Sequence, residues 1–166
     1  MAGRTVSAMP GLDLAEQQAW EHFLDAALRL YGTLNRVLST EHHLTLLDVR
    51  LLDILRNSET GAARMGDLAE QLLSLPSRVT RQIRRLEQAG LVQREASPED
   101  GRGVLASITE QGRDAVEVAI VTYSEGVRQR FAKPLTRSQL SAMGENCRRI
   151  STELKTNGPN GKSARI

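Results

Sequence analysis

The sequence predicts a mainly α-helical chain with one short β-hairpin. Three patterns predict it: an apolar stripe at heptad-like spacing near each end, three shorter helical segments in the middle, and two strand candidates directly after them. The N-terminal stripe runs Trp20, Leu24, Ala27, Tyr31, Leu34 and Leu38, in alternating steps of four and three. Asp13 followed by Glu16 marks its start as a capping box. At the other end Thr136 and Gln139 form a second capping box, followed by Leu140, Met143, Cys147, Ile150 and Leu154. A further long helix is expected through Val116, Ile120, Tyr123, Val127 and Phe131. Thr109 serves as its cap, Glu110 suits the positive end of the helix dipole, and Pro134 ends it. Three seamed helices exceed what a compact monomer of 166 residues needs to cover its core, so helices from two copies are expected to pack as a homodimer.

The middle of the chain reads differently. Leu47, Leu51, Ile54 and Leu55 mark one helix, closed by Asn57 to Gly61. Met65, Leu68 and Leu72 mark a short second, and Val79, Ile83 and Leu86 a third, closed by Gly90. The strand candidates are Leu91 to Ala96 and Val104 to Ile108, joined by Ser-Pro-Glu-Asp-Gly-Arg-Gly. Helix, helix, helix, hairpin is the order of a winged helix-turn-helix. The expected organisation is a flexible arm at 1–12, an N-terminal dimerisation helix at 13–43 and a winged helix-turn-helix at 44–110. Helices completing the dimer interface follow at 111–155, with a disordered tail at 156–166.

A formal net charge of +2 says little until it is distributed. Between Pro76 and Arg94 there are five arginines (78, 81, 84, 85, 94) and one acid, Glu87, so this segment carries +4 and the rest of the chain is slightly acidic. At about 100° per residue, Val79, Ile83 and Leu86 share a narrow arc, with Ser77, Arg78, Arg81, Arg84, Arg85 and Gln88 opposite. That is the charge distribution of a phosphate-facing surface, and the expected partner is double-stranded DNA. A reader helix enters the major groove by its N-terminal end, so Ser77, Arg78, Thr80 and Arg81 are the candidates for base edges, with Arg84 and Arg85 for the DNA backbone. At the hairpin tip Gly101 and Gly103 flank Arg102, which suits insertion into a neighbouring minor groove, with Asp100 bracing it.

Other readings of the same residues are weaker. The three histidines lack a nucleophile at catalytic spacing, and there is no phosphate loop or dinucleotide fingerprint, so the chain is not read as an enzyme. Glu41, His42, His43 and Cys147 suggest a metal or redox sensor, but adjacent histidines point to different sides of a helix, and neither a metal nor a cofactor is expected. Cys147 occupies a seam position and is read as a small structural hydrophobe. A winged-helix module meeting an acidic protein is the alternative to DNA; the wing arginine with its aspartate argues against it. No stretch reaches the roughly 20 apolar residues that cross a bilayer, so no membrane partner is expected and the expected location is cytoplasmic.

These residues carry a family likeness. Between Met65 and Gly112, the runs Pro-Ser-Arg-Val-Thr-Arg, Arg-Leu-Glu-Gln-Ala-Gly-Leu-Val, Pro-Glu-Asp-Gly-Arg-Gly and Ile-Thr-Glu-Gln-Gly resemble the MarR family of transcriptional regulators. The resemblance implies a homodimer of winged helix-turn-helix subunits, joined through terminal helices, that binds a pseudo-palindromic operator and acts as a repressor. It also implies release by a small, phenolic or anionic effector. Trp20, Tyr31, His42, His43 and Arg50 are the residues such a pocket would draw on, but Trp20 and Tyr31 are more simply core, and no effector site is assigned. In the family an apolar residue and then a capping Ser or Thr commonly precede the reader helix, whereas this chain has Ser74 and then Leu75. Either Ser74 caps instead, or the reader helix begins without a hydroxyl.

Overall fold

The computed structural model describes residues 9–96 and 103–157, in two compact units divided between Ser124 and Glu125. The first unit opens with α1 (Leu14–His42), capped as the sequence requires: Glu16 N–H donates to Asp13 Oδ1 (2.9 Å) and Asp13 N–H to Glu16 Oε2 (2.8 Å). His43, at φ 56°, ends it. Thr45 caps α2 (Leu46–Asn57) with Asp48 at the third position, and β1 (Ala62–Arg64) runs straight into α3 (Met65–Gln71). Then come α4 (Pro76–Gln88), β2 (Val92–Ala96), β3 (Val104–Ile108) and α5 (Glu110–Val127). The sheet is antiparallel in the order β1-β3-β2, with Ala96 opposite Val104 as the last pair before the loop that joins β2 to β3. The chain is therefore mainly α with a winged helix-turn-helix, as the sequence predicts, plus a first strand that it did not reveal.

The core gathers the apolar faces of α2, α3 and α4 on the sheet and the first turns of α5. Leu51, Leu52, Leu55, Leu68, Val79, Ile83, Leu86, Val92, Ala106, Val116 and Ala119 are all buried there. From α1 only its last turns take part, with Leu34 and Leu38 buried. The earlier stripe residues stay exposed, Trp20 at 47% and Tyr31 at 53%, which corrects the expectation that these two are core. The core reaches only the last turns of the long α1, so the remainder is an apolar face left open in the single chain.

In α5 the Thr109 hydroxyl accepts from Gly112 N–H (3.0 Å) and donates to the Gly90 carbonyl (2.7 Å), tying the helix start to the end of α4. In the second unit α5 gives way to one π-helical segment, Arg128–Ala132, whose closing bond runs from Lys133 N–H to Arg128 O (2.8 Å). Pro134, lacking an N–H, cannot continue an α-helical ladder, and the wider turn precedes it. The second helix of that unit is α6 (Arg137–Asn157), with the expected box: Gln139 N–H donates to Thr136 Oγ1 (3.3 Å) and Thr136 N–H to Gln139 Oε1 (2.8 Å). It runs through Thr156 and Asn157, past the expected start of the tail, and its seam residues Cys147, Ile150 and Leu154 are exposed. Glu145 accepts from both Arg148 and Arg149, which holds its carboxyl below the ordinary range and occupies those two guanidinium groups. Among the described residues no helix is long and apolar enough to cross a membrane.

A methyl group on Gly112 would overlap the Leu91 carbonyl oxygen, a backbone atom that cannot step aside. Gly112→Ala is expected to cost about 2 kcal/mol in urea unfolding. Gly66→Ala, in the open on α3, is expected to be neutral or to stabilise by up to about 1 kcal/mol.

Candidate nucleic-acid interface

The turn between α3 and α4 sets the position of everything at this surface. α3 ends in a Schellman motif: Leu73 N–H donates to Glu70 O (3.0 Å) and Ser74 N–H to Ala69 O (2.9 Å), with Leu73 at φ 49°. Left-handed backbone costs a leucine roughly 1–2 kcal/mol relative to glycine. Gly90 holds the same position after α4, at φ 74°, without that cost. Leu75 is the N-cap of α4 and gives no side-chain hydrogen bond, and Pro76 takes the first helical position. Ser74 does not cap in its place; its Oγ is buried and unpartnered among the described residues. The reader helix thus begins without a hydroxyl, a loss of about 1 kcal/mol.

Along α4, Val79, Ile83 and Leu86 are fully buried against α3 and the sheet, which fixes the rotation of the helix about its axis. Ser77, Arg78, Arg81 and Arg84 consequently stand in solvent, and among the described residues none of these three arginines is in an ion pair. Thr80 is half-buried and its hydroxyl donates to Pro76 O (2.9 Å), leaving lone pairs but no proton for a partner.

The other two arginines of the segment are committed elsewhere. Arg85 bonds Asp48 Oδ2 on α2, correcting the expectation that every arginine of this helix turns away from the core together. Asp48 is fully buried and also accepts from Thr45 N–H (2.7 Å) and Thr45 Oγ1 (2.6 Å). Among the described residues its carboxylate is the one fully buried acid, and Arg85 supplies its positive partner. Arg94 on β2 pairs with Glu87 (2.7 Å). Removing these two pairs from the five arginines leaves three positive charges, on Arg78, Arg81 and Arg84, in one row. Asp48 was missed because its partner lies 37 residues away. The available signal was Asp48 set between Leu46, Leu47 and Val49, three residues after Thr45.

Asp100 and Arg102 lie outside the described residues, so the wing enters only through its strands. The other residues weighed from sequence are scattered. His42 Nε2 meets Thr122 Oγ1 (2.8 Å), His43 forms the end of α1, and Arg50 is exposed on α2.

A helix-turn-helix with an antiparallel wing and a basic outward row on the second helix defines a winged-helix protein. The MarR family model matches residues 44–104. The chain superposes on AbsC, a MarR family transcriptional regulator from Streptomyces coelicolor, with a TM-score of 0.83 and 30% identity over 90% of this chain and 100% of that one. It matches Sco3205, a MarR family regulator from the same organism solved in complex with DNA, with a TM-score of 0.83 and 31% identity over 86% and 93% of the two chains. It is also 35% identical over 70 residues to the HTH-type transcriptional regulator YdgJ of Bacillus subtilis, an alignment spanning 42% of this chain and 40% of YdgJ. The chain belongs to the MarR family of transcriptional regulators.

Arg85→Ala leaves the buried Asp48 carboxylate without its cation and is expected to lower folding stability by about 1–3 kcal/mol. Arg84→Ala, one residue away and in solvent, is expected to change it by less than about 0.5 kcal/mol. Denaturant unfolding of both variants at one protein concentration reads the difference; equal losses would mean that the pair does not anchor α4 to α2.

Proposed function

We propose that this chain is a homodimeric DNA-binding transcriptional regulator that recognises a pseudo-palindromic operator with α4 in the major groove and the wing alongside. The observation that carries the reading is the row Arg78, Arg81 and Arg84, held outward by buried Val79, Ile83 and Leu86. Ser77, Arg78 and Arg81 lie at the end of α4 that enters the groove and address base edges together with Thr80 as an acceptor. Arg84 meets phosphate. Arg85 acts chiefly through its grip on Asp48, with an exposed remainder that can approach the backbone. Asp100 and Arg102 act at the wing tip, as their place in the sequence suggests.

The apolar residues exposed on α1 (Trp20, Leu24, Leu28, Tyr31) and on α6 (Ile150, Leu154) support dimerisation through 13–43 and 111–155. In a dimer of this kind the two reader helices enter successive major grooves about 34 Å apart, so the operator is an inverted repeat. Repression, and release by a small phenolic or anionic ligand, follow from the family resemblance. The chain is not read as an enzyme, and a regulator acting on DNA inside the cell is placed in the cytoplasm.

Binding of wild-type and variant chains to selected and scrambled duplexes across a salt series tests this. Arg81→Ala is expected to cost about 1–3 kcal/mol on the selected operator and to relax preference at one base position. Arg102→Ala is expected to weaken binding to all sequences and to flatten the salt dependence by about one charge. Equal binding of all three proteins to both duplexes would refute the assignment, as would an acidic protein competing where DNA does not.

A further inference from the structure

The turn into α4 holds two leucines that the core does not use. Leu73 is 82% exposed and Leu75 is 68% exposed. Each sits where another residue would serve the backbone better. Leu73 takes the left-handed position that the chain gives to Gly90 at the end of the next helix. Leu75 stands at an N-cap without a hydroxyl, while Ser74 next to it turns its own hydroxyl inward, unbonded. With the two exchanged, serine would cap the helix and leucine would stand where the inward-turned hydroxyl now is. The observed order holds an apolar side chain in water immediately before Ser77, Arg78 and Arg81.

We propose that Leu75 reads a base, packing its side chain on the 5-methyl group of a thymine in the major groove beside the bases addressed by Ser77 and Arg78. The proposal rests on α4 being the reader helix. Leucine has neither charge nor donor for a phosphate, so among arginines it gains only from an apolar surface. Of the base-edge groups in the major groove, the thymine methyl is the apolar one. The N-cap of a helix that enters that groove by its N-terminus is placed to make such a contact. Leu73, two residues back toward α3, is not assigned.

The test measures binding of the full chain to a duplex selected by the wild-type protein from a random pool. Thymines of each half-site are replaced singly by deoxyuridine, which removes the methyl and keeps every hydrogen-bonding group. One replacement is expected to weaken the wild-type chain roughly three- to fivefold, the value of one buried methyl. Leu75→Ala is expected to bind more weakly by a similar factor at low and high salt and to lose nothing further on that replacement. Leu75→Ser, which restores a hydroxyl cap and so protects the fold, is expected to be equally indifferent to it. Wild-type binding that ignores every thymine methyl, or leucine variants that keep the full uracil penalty, overturns this contact and leaves the reader helix standing. A wild-type chain that binds no duplex at any salt concentration overturns both. Leu75→Ala that changes the oligomeric state assigns the leucine to a subunit contact and also overturns it.

Discussion

The structure depends on the burial of three side chains from one face of α4. Val79, Ile83 and Leu86 leave water completely, each gaining about 2 kcal/mol of apolar burial, and together they set the rotation of the helix on α3 and the sheet. A rotation of one residue, about 100°, would carry all three off the core face and turn an arginine into it, where an unpaired guanidinium costs several kcal/mol. The outward row at Arg78, Arg81 and Arg84 is the consequence of that constraint. An apolar core here fixes where charge can go.

Polar contacts refine the same placement. The Asp48–Arg85 pair ties α4 to α2 in a direction that apolar packing leaves loose, because a hydrogen bond to a carboxylate has an angle as well as a distance. A buried carboxylate is costly unless its oxygens are satisfied; three donors meet at Oδ2, while Oδ1 is buried with no hydrogen-bond partner among the described residues. The Thr45 cap therefore has two duties: it starts α2 and it positions the acid that holds the reader helix. The Glu87–Arg94 pair does similar service between α4 and β2, at half-exposed positions where the energetic return is smaller.

Much of this was legible in the sequence because it is local. Capping pairs at Asp13 and Thr136 join residues three apart, and the stripe on α4 needs only the helical period, so those helix starts and the inward and outward faces of α4 follow from counting. What escaped is long-range or short of pattern. β1 is three residues with two alanines and shows no alternation, and it becomes a strand only because β3 lies beside it. Arg85 and Arg81 look alike on a helical wheel, and only the approach of Asp48 from α2 separates them. Trp20 and Tyr31 follow the same spacing as Leu34 and Leu38, yet only the latter pair reaches the core. Periodicity marks a face to be covered without saying by what.

Arginine on guanine N7 and O6 in the major groove is the chemistry that this outward row offers, so methylation interference measures it most directly. Operator duplex is sparsely methylated at guanine N7, partitioned into bound and free fractions with the full chain, and cleaved at the modified bases. The account requires that methyl groups at symmetry-related guanines, about one helical turn apart, be excluded from the bound fraction. If the bound and free fractions carry the same methylation pattern, the guanidinium groups of α4 do not face the major groove, and the account is contradicted.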